Sequence, residues 1–329
     1  MVISIRSIFQ LQLVFILLAL VVLPAQAEWF QEGQNKMGTR VFVKLWHENA
    51  SKAQALLAES MAEFDRIEAS MSTYRADSEI SQINTRAADG WVPVGEELFS
   101  LIERAVAMSE STDGAFDITY DSVGQFYNFR KHQRPSMDQV AESLSSIDYH
   151  HLQFNTEAFT IHFSQPGVRI NLGGIAKGYA VESVIRMLEE AGVKHALANA
   201  GGDTRVLGNR GEDPWIIGVR DPDDEMKFTA RLALTDSAIS TSGDYEQFFV
   251  EDGTRYHHII SPSTGNPASA VRSVTIIGPD ATMTDGLSTS VFVMGPEAGI
   301  QLIESLPDYE GIIIDKKHHV RYSTGVNSL

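Results

Sequence analysis

Asp285 and Thr289 stand four residues apart in the stretch TDGLSTS. On a helix that spacing puts both side chains on one face. A carboxylate and a hydroxyl with no His or Cys beside them make a hard-oxygen site, suited to Mg²⁺ or Ca²⁺ and not to zinc. The same two residues near a helix start also read as caps. The stretch NLGGIAKGYA, residues 171–180, is a second candidate. Glycines at 173, 174 and 178 let the backbone approach a ligand closely. Lys177 adds a point charge, and a helical run follows, the layout of an anion site at a helix start. The spacing fits neither GxxxxGK[ST] nor GxGxxG, and Lys177 reads equally as a solvated first-turn residue.

In GAFDIT (114–119), Asp117 lies between Phe116 and Ile118. Burying a carboxylate there is costly without hydrogen bonds, so Asp117 either binds a ligand N–H or holds loop backbone. In YHHIISPSTGNP (256–267), strand alternation lets only one of His257 and His258 face a site. Both histidines also read as surface strand residues.

The elements that must position these residues follow from periodicity. Amphipathic spacing predicts helices over 51–70, 96–111, 176–190, 280–294 and 297–305, with a polar loop and a short helical turn at 71–84. Strands are predicted at 151–154, 158–163, 167–171, 196–200, 215–219, 228–234, 238–241, 246–250, 256–260, 272–277, 310–314 and 318–322. Helices and strands mix without regular β-α alternation, which predicts an α+β fold.

Composition narrows the partners. The formal net charge is −17, with 26 Lys and Arg against 43 Asp and Glu. Nucleic acid needs clustered cations and is not expected. A polyanionic ligand would need a metal or a placed lysine. There is no cysteine, so there is no disulfide and no thiolate metal site. Arg6, an apolar run from Ile8 to Leu23 and Ala25-Gln26-Ala27 predict a secretory signal peptide over 1–27, cleaved before Glu28. The expected location is the periplasm, without a lipid anchor.

MGT (37–39), MSTY (71–74), GAFDIT, NLGGIAKGYA, NAGGD (199–203), STSGDY (240–245), HIISPSTG (258–265) and TDGLST (284–289) occur in one succession. This order closely resembles the ApbE family, the FAD:protein FMN transferases, over about Gly38 to Ile314. The resemblance implies an α+β fold with a T-fold-like part, its mixed sheets flanked by helices, as one domain over 28–329. It implies Mg²⁺-dependent transfer of FMN from FAD to a Thr or Ser hydroxyl of a target protein, releasing AMP. The targets implied are subunits of respiratory or electron-transfer complexes, reached near the inner membrane. By motif match Met37, Tyr74, Ala115, Phe116, Asp117, Asn171, Lys177 and the Ile260 backbone contact FAD. The Gly174 carbonyl, Asp285 and Thr289 ligate Mg²⁺, and His258 is the general base. Asn171 stands where the family commonly has Asp, which keeps a hydrogen-bonding role but loses a charge, and Ser261 stands where the family commonly has an Asp whose carboxylate would orient the histidine or a second metal. The competing readings are a Mg²⁺-dependent FAD pyrophosphatase and a non-catalytic flavin-binding protein.

Overall fold

A computed structural model of the chain describes residues 28–224 and 226–328. The expected signal peptide lies outside the described residues. The central element is an eight-stranded sheet. Its strands are β1 (Glu28–Lys36), β2 (Thr39–His47), β3 (Ala196–Ala200), β4 (Asp203–Leu207), β5 (Ala238–Gly243), β6 (Val271–Gly278), β7 (Glu310–Asp315) and β8 (Val320–Tyr322). They lie side by side in chain order, and every pairing is antiparallel. With helices segregated against it, this is the expected α+β class.

Strand alternation gives the sheet two dressed faces. Ala238, Val274 and Ile276 point to the core beneath the helices. Ile239, Ile277 and Ile312 point the other way. There they pack against Trp215, Val219, Leu232 and Leu234 of the hairpin Trp215–Arg220/Phe228–Leu234. The helix layer holds α1 (Ala50–Met71), α2 (Glu96–Ser111), α3 (Ala176–Glu190), α4 (Ala281–Met294) and α5 (Pro296–Glu304). Asn49 caps α1, accepting from the Lys52 amide, and Asp280 caps α4, accepting from the Met283 amide. Helix α4 is nearly all buried, which suits its position between β5, β6 and α3.

Two expectations change. No strand forms over 167–171. The Arg169 amide goes to Ser122 Oγ, the Ile170 amide to Asn84 Oδ1 and the Asn171 amide to the Ile118 carbonyl. Side chains and a loop take the donors that a strand ladder would use. The strand predicted over 256–260 is Thr254–His257, so His258 lies beyond its end. Among the described residues no helix is long and apolar enough to cross a membrane.

Candidate functional site

The site forms where the start of α3 meets the helix-facing side of β4, β5 and α4. Helix packing here is unusually close. A Cβ on Gly178 would lie 2.1 Å from the Ala281 carbonyl oxygen and 2.6 Å from Asp285 Cβ. Only glycine lets α3 rest on α4 at this point. The contact lets the Gly178 amide donate to Asp285 Oδ2 at 2.8 Å. In an unbroken helical ladder that amide would serve the Gly174 carbonyl. Among the described residues that carbonyl accepts no hydrogen bond. Thr289 Oγ1 lies 3.2 Å and Phe116 Cε2 3.3 Å from where a Gly174 Cβ would stand. Gly174, Asp285 and Thr289 therefore converge, joined by one helix face and one glycine turn.

Hydroxyls from β5 set the outer wall. Ser240 bonds Thr284 at 2.8 Å, and Ser242 bonds Ser288 at 2.8 Å and Thr289 at 3.4 Å. Strand alternation places Ser240 and Ser242 on the same side, toward α4. Lys177 Nζ lies 2.7 Å from Asp203 and 3.6 Å from Asp285. Both carboxylates are buried, each 2% exposed. Burial and the neighbouring Asp203 charge push the Asp285 carboxyl up, against Lys177 and the Gly178 amide. Burial pulls the Lys177 ammonium down, but Asp203 and Asp285 outweigh it and hold the ammonium above its ordinary value. One ammonium between two buried carboxylates leaves an excess negative charge. The oxygen donors are a free carbonyl, a hydroxyl and a carboxylate, a set that suits a hard divalent cation. Among the described residues no three His, Cys, Asp or Glu side chains cluster as a metal site.

The glycine turn has its own support. Asn171 Oδ1 accepts from the Gly173 amide at 2.9 Å. Its Nδ2 donates to Asp121 Oδ1 at 3.1 Å and to Thr73 Oγ1 at 3.3 Å. Asp121 is buried and also takes Arg169 Nε at 3.2 Å. Burial pushes its carboxyl up, opposed by Asn171 and Arg169. A carboxylate at position 171 would face Asp121, so the amide suits this chain. Tyr74, next to Thr73, is 95% exposed.

Asp117 is buried and caps a turn of 3₁₀ helix at Ile118–Tyr120. It accepts from the Thr119 amide and hydroxyl and from the Tyr149 amide. Its observed bonds are thus to loop backbone and a neighbouring hydroxyl. Burial still pushes its carboxyl up, because the bonds offset desolvation only in part. Ala115 lines a cleft with Ser261, Pro262 and Val293. Ile260 is buried and bridges Pro267. Met37 sits at the β1–β2 turn with φ 51°. Gly201, at the β3–β4 turn, donates its amide to the Arg40 carbonyl just past that turn.

The two histidines differ by environment more than by strand face. His257 is buried, with Nε2 2.7 Å from the Ala268 carbonyl and its ring edge-on to Phe292. It is a structural residue, and replacing it cannot be silent. His258 is half-buried, and its buried Nδ1 finds no hydrogen-bond partner among the described residues. Ser261 Oγ bonds Ser263 instead. Burial first, then the charges of His257 and Lys177, lower the His258 imidazole to about 4. It is therefore neutral at working pH, well below the ordinary value expected from its type.

Sequence reasoning assigned no role to Asp203, Asp121, Thr73 or Ser242. Asp203 ends NAGGD and Ser242 sits in STSGDY, so the motifs flagged both neighbourhoods. Thr73 lies in MSTY, whereas Asp121 falls outside every motif, and only the fold brings both to Asn171.

A family profile described as the ApbE family matches residues 37–313. The chain belongs to the ApbE family. It is 31% identical to the FAD:protein FMN transferase of Treponema pallidum, over 92% of this chain and 89% of that one. It is also 31% identical to the Vibrio cholerae protein of the same name, over 82% of each. Among solved structures, the ApbE protein of Thermotoga maritima superposes with a TM-score of 0.85 at 34% identity. That match covers 92% of this chain and 99% of the other. The flavin transferase ApbE from Vibrio cholerae gives 0.83 at 28% identity, with the same coverage. Within this ApbE-family chain, the glycine turn, α4 and the His258 turn all fall inside the matched residues.

Proposed function

We propose that this chain is an enzyme that moves FMN from FAD onto a hydroxyl of a target protein. The family assignment supports the reaction class. The observation that carries the site is the Gly174 carbonyl, freed when the Gly178 amide turns to Asp285. That carbonyl, Thr289 and Asp285 would hold Mg²⁺, and Mg²⁺ when bound offsets the diphosphate charge and polarises the reacting phosphoryl. The chain's own residues do the rest. The Asn171-braced turn lets the backbone approach the diphosphate. His258, neutral at working pH, takes the proton from the acceptor hydroxyl. The hydroxyl oxygen bonds to the FMN phosphorus as the bond to AMP breaks. Among the described residues no carboxylate bonds His258 Nδ1, so the bound substrate would complete the orientation of its ring.

The acceptor is a Thr or Ser of a respiratory or electron-transfer subunit, and the compartment is the periplasm, reached by cleavage before Glu28. The competing hydrolase releases FMN and AMP to water. Purified protein incubated with FAD, Mg²⁺ and candidate acceptors separates the two outcomes. Transfer gives an acceptor with an FMN-sized mass increment, whereas free FMN with unmodified acceptor would replace the transferase reading by the hydrolase.

A further inference from the structure

Asp285 has two oxygens with different fates. Oδ2 is tied to the Gly178 amide at 2.8 Å. Oδ1 faces Lys177 Nζ at 3.6 Å, beyond hydrogen-bond distance. Nζ bonds Asp203 Oδ2 instead, at 2.7 Å. Asp203 begins β4 and pairs with Ser240, so strand register fixes its carboxylate on the helix side. The ammonium has a long stem and could reach either carboxylate.

We propose that Asp203 is a positioning residue that holds Lys177 off Asp285, keeping Asp285 Oδ1 open to the metal. This rests on the Mg²⁺ reading of the site above. Without Asp203 the ammonium closes on Oδ1, neutralises that carboxylate and competes with the cation. Asp203 is then a residue of the metal site that never touches the metal.

A double-mutant cycle separates this role from a plain contribution of negative charge. Full-length protein with saturating FAD is titrated with MgCl₂ by calorimetry, for the unaltered chain, Asp203→Asn, Lys177→Met and the double variant. Asp203→Asn is isosteric, and circular dichroism melting checks that each variant folds. Asp203→Asn is expected to weaken Mg²⁺ binding about tenfold or more. In the Lys177→Met background the same change is expected to cost less than about threefold. An equal loss in both backgrounds means that Asp203 acts by charge alone and overturns the inference. Unchanged Mg²⁺ affinity in Asp203→Asn also overturns it, while leaving the metal reading intact. No Mg²⁺ uptake by the unaltered chain overturns both together.

Discussion

His258 and His257 are adjacent in sequence and opposite in consequence. His258→Ala should lower transfer by about 10²–10⁴-fold with FAD binding retained, because it removes a general base and not a ligand. A pre-steady-state transfer assay at saturating FAD checks this, and a normal rate would assign hydroxyl activation elsewhere. With the imidazole near 4, the rate of the unaltered chain should hold from neutral pH down to about pH 5 and fall below it. A limb centred near 6.5 in the same assay would mean that His258 is solvated when it works. His257→Ala should cost about 1–3 kcal/mol of stability by orphaning the Ala268 carbonyl. Urea denaturation measures it. Asp285→Ala should abolish transfer at limiting Mg²⁺, whereas Thr289→Val, which removes a neutral donor, should weaken it less. The sequence offered His258, Asp285 and Thr289 as candidates through motif resemblance, whereas the burial of His257 against Phe292 and the Ala268 carbonyl depends on the fold. The Asn171–Asp121 contact was not legible either, since 50 residues separate partners that only the fold joins.

At the level of elements, five long helices fall where the apolar spacing predicts, and Glu96–Ser111 and Ala176–Glu190 agree end to end. Buried stripes and clear stops make such helices legible. In the β1–β2 hairpin, edge strand β1 is half-exposed with little apolar alternation, whereas β2 buries Val41, Val43 and Leu45 in strand alternation. The stretch 167–171 misled because buried Val168 and Ile170 alternate with Arg169 and Asn171 as in a strand, but its amides serve side chains and a loop. The interface of α3 with α4 gives the sharpest test at this scale. A methyl at 178 meets backbone at 2.1 Å, which no rotamer change relieves. Gly178→Ala should therefore push α3 off α4, cost about 1–3 kcal/mol or more and break the amide bond to Asp285. A methyl at 173 meets only side-chain atoms, Asn171 Oδ1 at 3.2 Å and the Tyr120 hydroxyl at 3.4 Å. Gly173→Ala should stay close to the unaltered chain. Melting temperatures and Mg²⁺ titrations of the two variants check the contrast, and equal melting would show that the helices part without cost.

Across the whole molecule, acid acts in two directions. The chain carries a formal net charge of −17, so mild acidification relieves self-repulsion. Asp285 works in the same direction. Burial and Asp203 raise its carboxyl, so the fold binds that proton more readily than the unfolded chain does. Buried His257 and half-buried His258 oppose this. His257 is lowered by burial, and His258 is lowered to about 4, whereas an unfolded histidine titrates at about 6.5. Between those values the unfolded chain binds more protons at these positions. Their stabilising contribution is therefore present above about pH 6.5 and lost as the pH falls toward 4. The sum of these effects in the unaltered chain is not diagnostic, but a difference is. His258→Gln keeps a polar side chain of similar reach and removes the titration. Urea midpoints of both proteins, without Mg²⁺, should show the variant gaining on the unaltered chain between pH 7.5 and pH 5. A gap that stays constant across that range would place His258 in solvent, and the low-pH rate limb would then lose its structural basis.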